Sequence, residues 1–583
     1  MNLPRLPRLR HIAALAASTA ALAACQTAST APPANSAAAS TGTTLDQGKW
    51  ANFRDAFLTG YFNQYPNFAV YQGKHQYDGM LPDWSPAGLA AQQAFLKTTI
   101  RDAKAMTGLT EKERFERDYL VHVAQGQLFF LEDADFPHKN PAFYVGGLDP
   151  NVYIARPYAD EKTRMKAFIK YAENVPAAAA QIKNNLKLPL PETFVKYGQA
   201  GFGGFADYYT GDAKEAFASV KDPALQAQFD AATAKAAAAM RDLSDYVGSQ
   251  PATKGGFAIG ARNFSKMILT NEGVDTPLNQ LEAIGEADLA RNQAALREAC
   301  GQFAPGASIP DCIAKMSADK PEGGPVAEAR RQLPMLRQFI IENDIVTIPG
   351  TEQAKVEESP PYNRQNSAYI DIPGPYETGL PSVYYISPPD PNWDAATRAA
   401  YIPGVKDLLF TSVHEVWPGH FLNFLHSNRS DSIFGQLFVG YAFAEGWAHY
   451  TEEMMYDAGL NDFDPETHIG QLSNALLRDC RFLSAIRLHT GRMTVEQSYD
   501  LFRNECYQDE GNARQQAARG TYDPQYLNYT MGKLMIRKLR EDWTKGDRSK
   551  WKAFHDEFLS YGGPPIPMVR AAMLNEPTAR AVF

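Results

Sequence analysis

From about Asp46 onward, apolar residues recur with the three-to-four-residue spacing of helices, and the alternation expected of strands is rare. Ser85 is placed as an N-cap for a helix over Pro86 to Met106, with proline at the first helical position. Thr110 and Glu113 carry the spacing of a reciprocal cap at the start of the next helix. Alanine-rich stretches at Asp222 to Val247 and Leu281 to Cys300 continue the helical pattern. Strand signals are confined to Gly256 to Ile259, Phe339 to Pro349 and Ser382 to Ser387. Near the C-terminus, Lys533 to Trp543 reads as an amphipathic helix in which Leu534 and Ile536 pack while Arg537 and Arg540 stay polar. Gly201 to Ala206 formally matches GxGxxA but lacks a preceding strand and a following helix, so a mobile loop is expected there. There is no internal repeat and no linker after residue 45. The expected fold is mainly α, one large helical body over residues 46–583 with a small β-sheet.

Composition narrows the class. The 583 residues are 44% apolar and 21% charged, ordinary for a folded chain and too apolar for a disordered one. A net charge of −9 with no basic block argues against nucleic acid as a partner. Membrane chemistry is confined to the N-terminus. Arg5, Arg8 and Arg10 precede the short apolar stretch Ile12 to Ala24, which is below the roughly 20 residues that a spanning helix needs. Leu22-Ala23-Ala24-Cys25 resembles a bacterial lipobox, which makes residues 1–24 a signal peptide and Cys25 a lipidated N-terminus. The uncharged Ala/Ser/Thr/Pro-rich run to Leu45 is then a tether, and Gln26 after the cysteine fits outer-membrane sorting by resemblance. Loss of three arginines and no acid leaves the mature chain at −12. Export also explains the cysteines. Four remain, and two disulfides, Cys300–Cys312 and Cys480–Cys506, are the natural pairing; metal ligation by them is disfavoured because no CxxC spacing occurs.

Candidate chemistry is concentrated in one window. His414, His420, His426 and His449 fall within 36 residues, and the first two belong to His414-Glu415-Val416-Trp417-Pro418-Gly419-His420. This resembles H-E-x-x-H with two extra residues. On an unbroken helix, i and i+6 are about 240° apart, so the two histidines share a metal only if the helix breaks. Pro418 and Gly419 supply that break. Further on, Glu445, His449 and Glu452 lie at i, i+4 and i+7 on a helix of otherwise apolar and aromatic character. Such a polar stripe is costly to bury unless it binds something. The expected ligands are His414, His420 and Glu445 around Zn2+, with His449 and Glu452 orienting a ligand. The rival set is His414, Glu445 and His449. Glu415 is the expected general base, Tyr529 the first candidate for oxyanion donor and His489 the second. His426 is expected to be structural.

The stretches HEVWPGH, AEGWAHYTEEM and Tyr529 to Arg540, with Gly73 to Gly79 and Leu81 to Ser85, resemble the bacterial domain of unknown function family 885, whose members are zincin-like. The resemblance covers nearly the whole mature chain. It implies a helical zincin-like metallopeptidase fold with the small sheet beside an active-site cleft, and His489 and Tyr529 are similar to recurring family positions. Phe421 and Asn423 depart from the commoner family wording and bear on substrate contact. A zinc peptidase acting on peptides in the periplasm, lipid-anchored through Cys25, is the expectation. The alternatives are a zinc amidohydrolase on a non-peptide or cell-wall amide and a non-catalytic peptide-binding lipoprotein. No nucleophile elbow or Walker loop competes with these readings.

Overall fold

Ser85 Oγ accepts the Gly88 amide at 3.1 Å and opens the helix Pro86–Ala105. Thr110 and Glu113 cap each other reciprocally at the start of Glu111–Glu132. These bonds satisfy amides that a helix N-terminus leaves without partners, so the local chemistry alone sets both boundaries. The computed structural model describes residues 48–360, 364, 367–390, 392, 394–576 and 582–583. The expected signal peptide, Cys25 and the tether lie outside the described residues. From Gln47 to Phe583 the chain forms one compact unit, mainly helical.

Six helices concern the site: α1 (Leu278–Phe303), α2 (Val405–Glu415), α3 (His420–Ser427), α4 (Tyr441–Asp457), α5 (Pro465–His489) and α6 (Asn528–Thr544). Their apolar faces share a single buried cluster that includes Leu408, Val413, Trp447, Leu476, Phe482 and Ile536. Helices α4 and α6 touch backbone to backbone. A Cβ on Gly446 would lie 2.5 Å from Gly532 Cα, and one on Gly532 would lie 2.1 Å from the Ala442 carbonyl oxygen. Only glycine allows that approach. Beneath the crossing, Lys533 Nζ donates to Asp288 Oδ2 at 2.6 Å, and Arg291 and Arg537 reach Glu453 at 2.9 and 3.1 Å. This ionic group, buried at Lys533 and Asp288 and open to solvent at Arg291 and Arg537, ties α1, α4 and α6 together.

The small sheet has β1 (Ala354–Glu358), β2 (Ala368–Asp371) and β3 (Ser382–Ile386), with β3 central, parallel to β1 and antiparallel to β2. It lies beside α2. Burial raises the Tyr384 phenol on β3, Ser412 offsets part of that rise, and the nearby Glu415 carboxylate adds to it. Both expected disulfides are formed. Each contributes about 2–4 kcal/mol by restricting the unfolded chain. Among the described residues, no helix is long and apolar enough to cross a membrane.

Four local expectations are corrected. Gly201 to Ala206 is not a loop: it lies inside the helix Glu192–Thr210, where a Cβ on Gly203 would meet Ser244 Oγ at 3.1 Å. Close packing against Pro223–Gly248 outweighs the poor helix propensity of glycine. The Phe339 to Pro349 run begins as the end of the helix Pro325–Glu342, because Leu333, Leu336 and Ile340 are buried at helical spacing. Gly256 to Ile259 forms no strand; a two-residue strand stands just before it at Ala252–Thr253. On α6, Arg540 is buried, donating to the Tyr450 hydroxyl at 3.0 Å and lying 4.3 Å from the Trp551 ring centre. Its aromatic surroundings cover the side chain that periodicity assigned to solvent.

Candidate metal centre

The break in the motif sits where the chemistry needs it. Helix α2 ends at Glu415 and α3 begins at His420, with Gly419 between them donating its amide to the Val413 carbonyl at 2.9 Å. A Cβ on Gly419 would lie 1.8 Å from the His414 carbonyl oxygen, so the chain folds back that tightly only with glycine. Trp447 of α4 donates its indole N–H to the Pro418 carbonyl at 2.8 Å and fastens the turn to the next helix. The outcome is a pair of imidazoles at 86° to one another with centroids 4.7 Å apart.

Glu445 enters from α4. Its Oε2 lies 3.3 Å from Nε2 of both His414 and His420, and the ligating atoms of the three residues all fall within 4.8 Å of one another. Side-chain exposures of 7% for His414, 14% for His420 and 19% for Glu445 leave the group reachable from solvent on one side. On its far side, His414 Nδ1 lies 2.7 Å from Glu452 Oε1. An ionised carboxylate only accepts, so Nδ1 carries the proton and Nε2 turns its lone pair toward Glu445. Two acceptors then face each other, and Glu445 Oε2 is enclosed without a hydrogen bond. A cation among them resolves the conflict, and two imidazoles with one carboxylate suit zinc. The residues fit the metal.

The electrostatics agree with a cation-seeking site. With no cation bound, burial would lower His414, but the neighbouring Glu445 and Glu452 carboxylates outweigh it and raise the imidazole to about 9, so a proton on Nε2 then takes the place that the cation would fill. Burial opposes ionisation of Glu445, yet His420 and His414 hold its carboxyl well below the usual range. Glu452 is likewise held low despite burial, by Arg478 and the two histidines. A divalent cation competes with the proton for the same lone pair.

The other candidates fall in different places. Glu415 ends α2, one residue from His414 and beside Tyr384. The Tyr529 ring lies 6.2 Å from the His414 ring, nearly parallel at 18°, and its hydroxyl has no hydrogen-bond partner among the described residues. Burial and Glu445 raise this phenol, while Arg519, Arg481 and Arg478 draw it down. His449 is fully buried and faces Glu452 Oε2 through Nδ1 at 3.4 Å, outside the converging group. His489 stands apart: Nε2 donates to the Gly520 carbonyl at 2.7 Å and the ring stacks on Phe264. His426 Nε2 donates to the Thr347 carbonyl at 2.8 Å. Phe421 and Asn423 are fully buried, and Phe421 packs edge-on against Trp417, so neither forms a substrate surface.

Sequence reasoning passed over Arg478. It lies 3.2 Å from Glu452 Oε1 and donates to Asn474 Oδ1 at 2.8 Å, holding the carboxylate that orients His414. The available signal was two arginines at i and i+3, Arg478 and Arg481, flanked by the apolar runs Ala475-Leu476-Leu477 and Phe482-Leu483.

The sequence model of a family described as "Bacterial protein of unknown function (DUF885)" matches residues 66–573. A candidate lipoprotein of unknown function from Shewanella oneidensis has a solved structure similar to this one, with 25% identity, a TM-score of 0.74, and coverage of 90% of this chain and 100% of that one. A candidate lipoprotein from Colwellia psychrerythraea is similar in fold, at 18% identity and a TM-score of 0.76, over 90% and 98% of the two chains. An M32 carboxypeptidase from Deinococcus radiodurans aligns over 92% and 94% at 11% identity and a TM-score of 0.40, a likeness too low to bear on activity. No curated protein matches the sequence.

Proposed function

Given that the chain belongs to the DUF885 family, whose description assigns no activity, we propose that it is a zinc-dependent peptidase that hydrolyses peptide bonds. The observation that carries this reading is the convergence of His414 Nε2, His420 Nε2 and Glu445 Oε2, with Glu415 following His414 in the chain. A purely structural zinc site is usually closed by four protein ligands, whereas three leave a position for chemistry.

Zinc held there supplies Lewis acidity at the carbonyl and acidifies water toward about pKa 7. Glu415 takes the proton of the attacking water and delivers it to the leaving amine. Tyr529 donates its free hydroxyl to the oxygen on which negative charge develops. Glu452 keeps the proton on His414 Nδ1, and Arg478 keeps Glu452 ionised and in place. The enzyme works at the cell envelope, anchored through a lipidated Cys25 and facing the periplasm. The candidate-lipoprotein relatives support export, and their described kinship fits an N-terminal anchor.

The test is metal analysis of the purified chain combined with digestion of a peptide library. About one zinc per chain and metal-dependent cleavage support the reading. Cleavage that persists after complete metal removal, or hydrolysis of non-peptide amides alone, would overturn it.

A further inference from the structure

Three arginines surround Tyr529 and Tyr441, and two of them are neutralised. Arg478 is paired with Glu452, and Arg519 with Asp523 at 2.9 Å. Arg481 is not. It is only 8% exposed, and its Nε donates to Gln516 Oε1 at 2.8 Å. Among the described residues, no carboxylate lies within 4.0 Å of its guanidinium, and its two terminal nitrogens make no hydrogen bond while not being sealed from solvent. Burial and the neighbouring Arg519 and Arg478 cations lower this guanidinium to about 10, so the surroundings disfavour its charge. Gln516 is itself fixed, its amide nitrogen donating to Asn512 Oδ1 at 3.2 Å, so Nε is anchored and the terminal fork is aimed.

A buried arginine without a counter-ion is costly, and a planar fork with two free donor groups matches a carboxylate. The fork also lies near the chemistry. The guanidinium carbon is 4.8 Å from the Tyr529 ring centre, and the His414 ring is 6.2 Å from that same centre. Laid end to end these legs span about three extended residues at most. We propose that Arg481 receives the α-carboxylate of the peptide substrate, so that the protein removes fragments of one to about three residues from peptide C-termini. The inference rests on the peptidase reading and adds the end of the substrate that is read. In the reaction, water adds across the scissile amide: hydroxyl joins the carbonyl carbon, the C–N bond breaks, and the nitrogen takes the proton. The released fragment keeps its carboxylate on Arg481 until it leaves.

The experiment uses N-acetylated peptides of four to six residues as free acids and as matched C-terminal amides, with and without Asp or Glu in the sequence. Digestion by the zinc-loaded full chain is read by mass spectrometry, and affinity for the Glu415→Gln protein is read by calorimetry. Free acids are expected to be cut within three residues of the C-terminus and to bind about 10–100-fold more tightly than their amides, the scale of one charged hydrogen-bonded pair. Arg481→Gln should erase that preference with zinc content and Tm unchanged, and Arg481→Lys should restore part of it, because an ammonium keeps the charge but not the fork. Should Arg481→Gln not fold, the acid–amide comparison on the unsubstituted side chain and Arg481→Lys decide. Equal binding of acids and amides, no binding of either, or cleavage in the interior overturns the inference. Preference for Asp- or Glu-containing amides would assign Arg481 to a side-chain carboxylate and overturn it too. Failure of the peptidase reading shows separately, as the absence of cleavage in every set while the binding preference persists.

Discussion

Glu452 Oε1 stands 2.7 Å from His414 Nδ1, behind the imidazole and away from the converging ligand atoms. The contact fixes both the tautomer and the tilt of the ring, and Arg478 at 3.2 Å fixes Glu452 in turn. Glu452→Gln is therefore expected to weaken zinc binding about 10–100-fold without removing any ligand. Competition with a chromogenic chelator measures this, and an unchanged zinc affinity would refute the orienting role.

Removal of a ligand should be more drastic. His414→Ala, His420→Ala and Glu445→Ala are each expected to strip the metal under conditions where His449→Ala retains it, since His449 lies outside the converging group. Mass-spectrometric zinc analysis of the four proteins separates the ligand sets. Full retention in His420→Ala with loss in His449→Ala would reverse the assignment.

Glu415→Gln should leave zinc content and Tm intact and lower turnover by at least about 10²-fold, the scale of a lost general base. Steady-state hydrolysis of a susceptible library peptide reads the effect. Wild-type turnover in this variant would sink the mechanism and leave a binding role standing.

Tyr529→Phe removes one hydroxyl that has no partner among the described residues. A cut of roughly 10²–10³ in kcat with little change in KM, zinc or Tm is the signature of a contact made only in the transition state. An unaltered kcat would return Tyr529 to a packing role beside His414.

His489 carries a prediction about stability. Burial lowers its imidazole to about 4, the Gly520 carbonyl offsetting only part of that effect. With an unfolded value near 6.5, the unfolded chain takes up a proton between pH 6.5 and 4 that the folded ring refuses. Its contribution is thus fully present above pH 6.5 and is lost as pH falls to about 4, a loss of about 3 kcal/mol. Urea unfolding across that range should be flatter in His489→Gln than in wild type by that amount. An identical pH profile in the two proteins would mean that the ring is charged in the fold.

Much of this architecture was legible because its causes are local. The caps at Ser85 and Thr110, the Pro418–Gly419 break and the Ser382–Ile386 strand follow from nearest-neighbour chemistry. The convergence of His414, His420 and Glu445 was legible as a pattern, since such a polar stripe is otherwise costly to bury. Part of what failed depended on packing by other elements. Gly201 to Ala206 is helical because another helix packs on it, and Arg540 is buried because Trp551 covers it. His489 carries a suggestive motif position, but only the rotation of α5 shows that its ring faces Phe264. Arg481 was invisible as a site because a lone arginine in a sequence does not reveal that its counter-ion is missing.

The contact between Gly446 and Gly532 has a mechanical meaning. Glu445 and Tyr529 sit on either side of it, one residue before Gly446 and three before Gly532. With no side chain between the two backbones there is nothing compressible in the joint, so the spacing of the Glu445 and Tyr529 backbones, from which carboxylate and phenol extend, is set by main-chain contact. A single methyl at either glycine acts as a wedge, prying apart two groups that it never touches. Alignment at this centre is thus machined into the helix axes, and tolerance for error there is less than the width of one carbon atom.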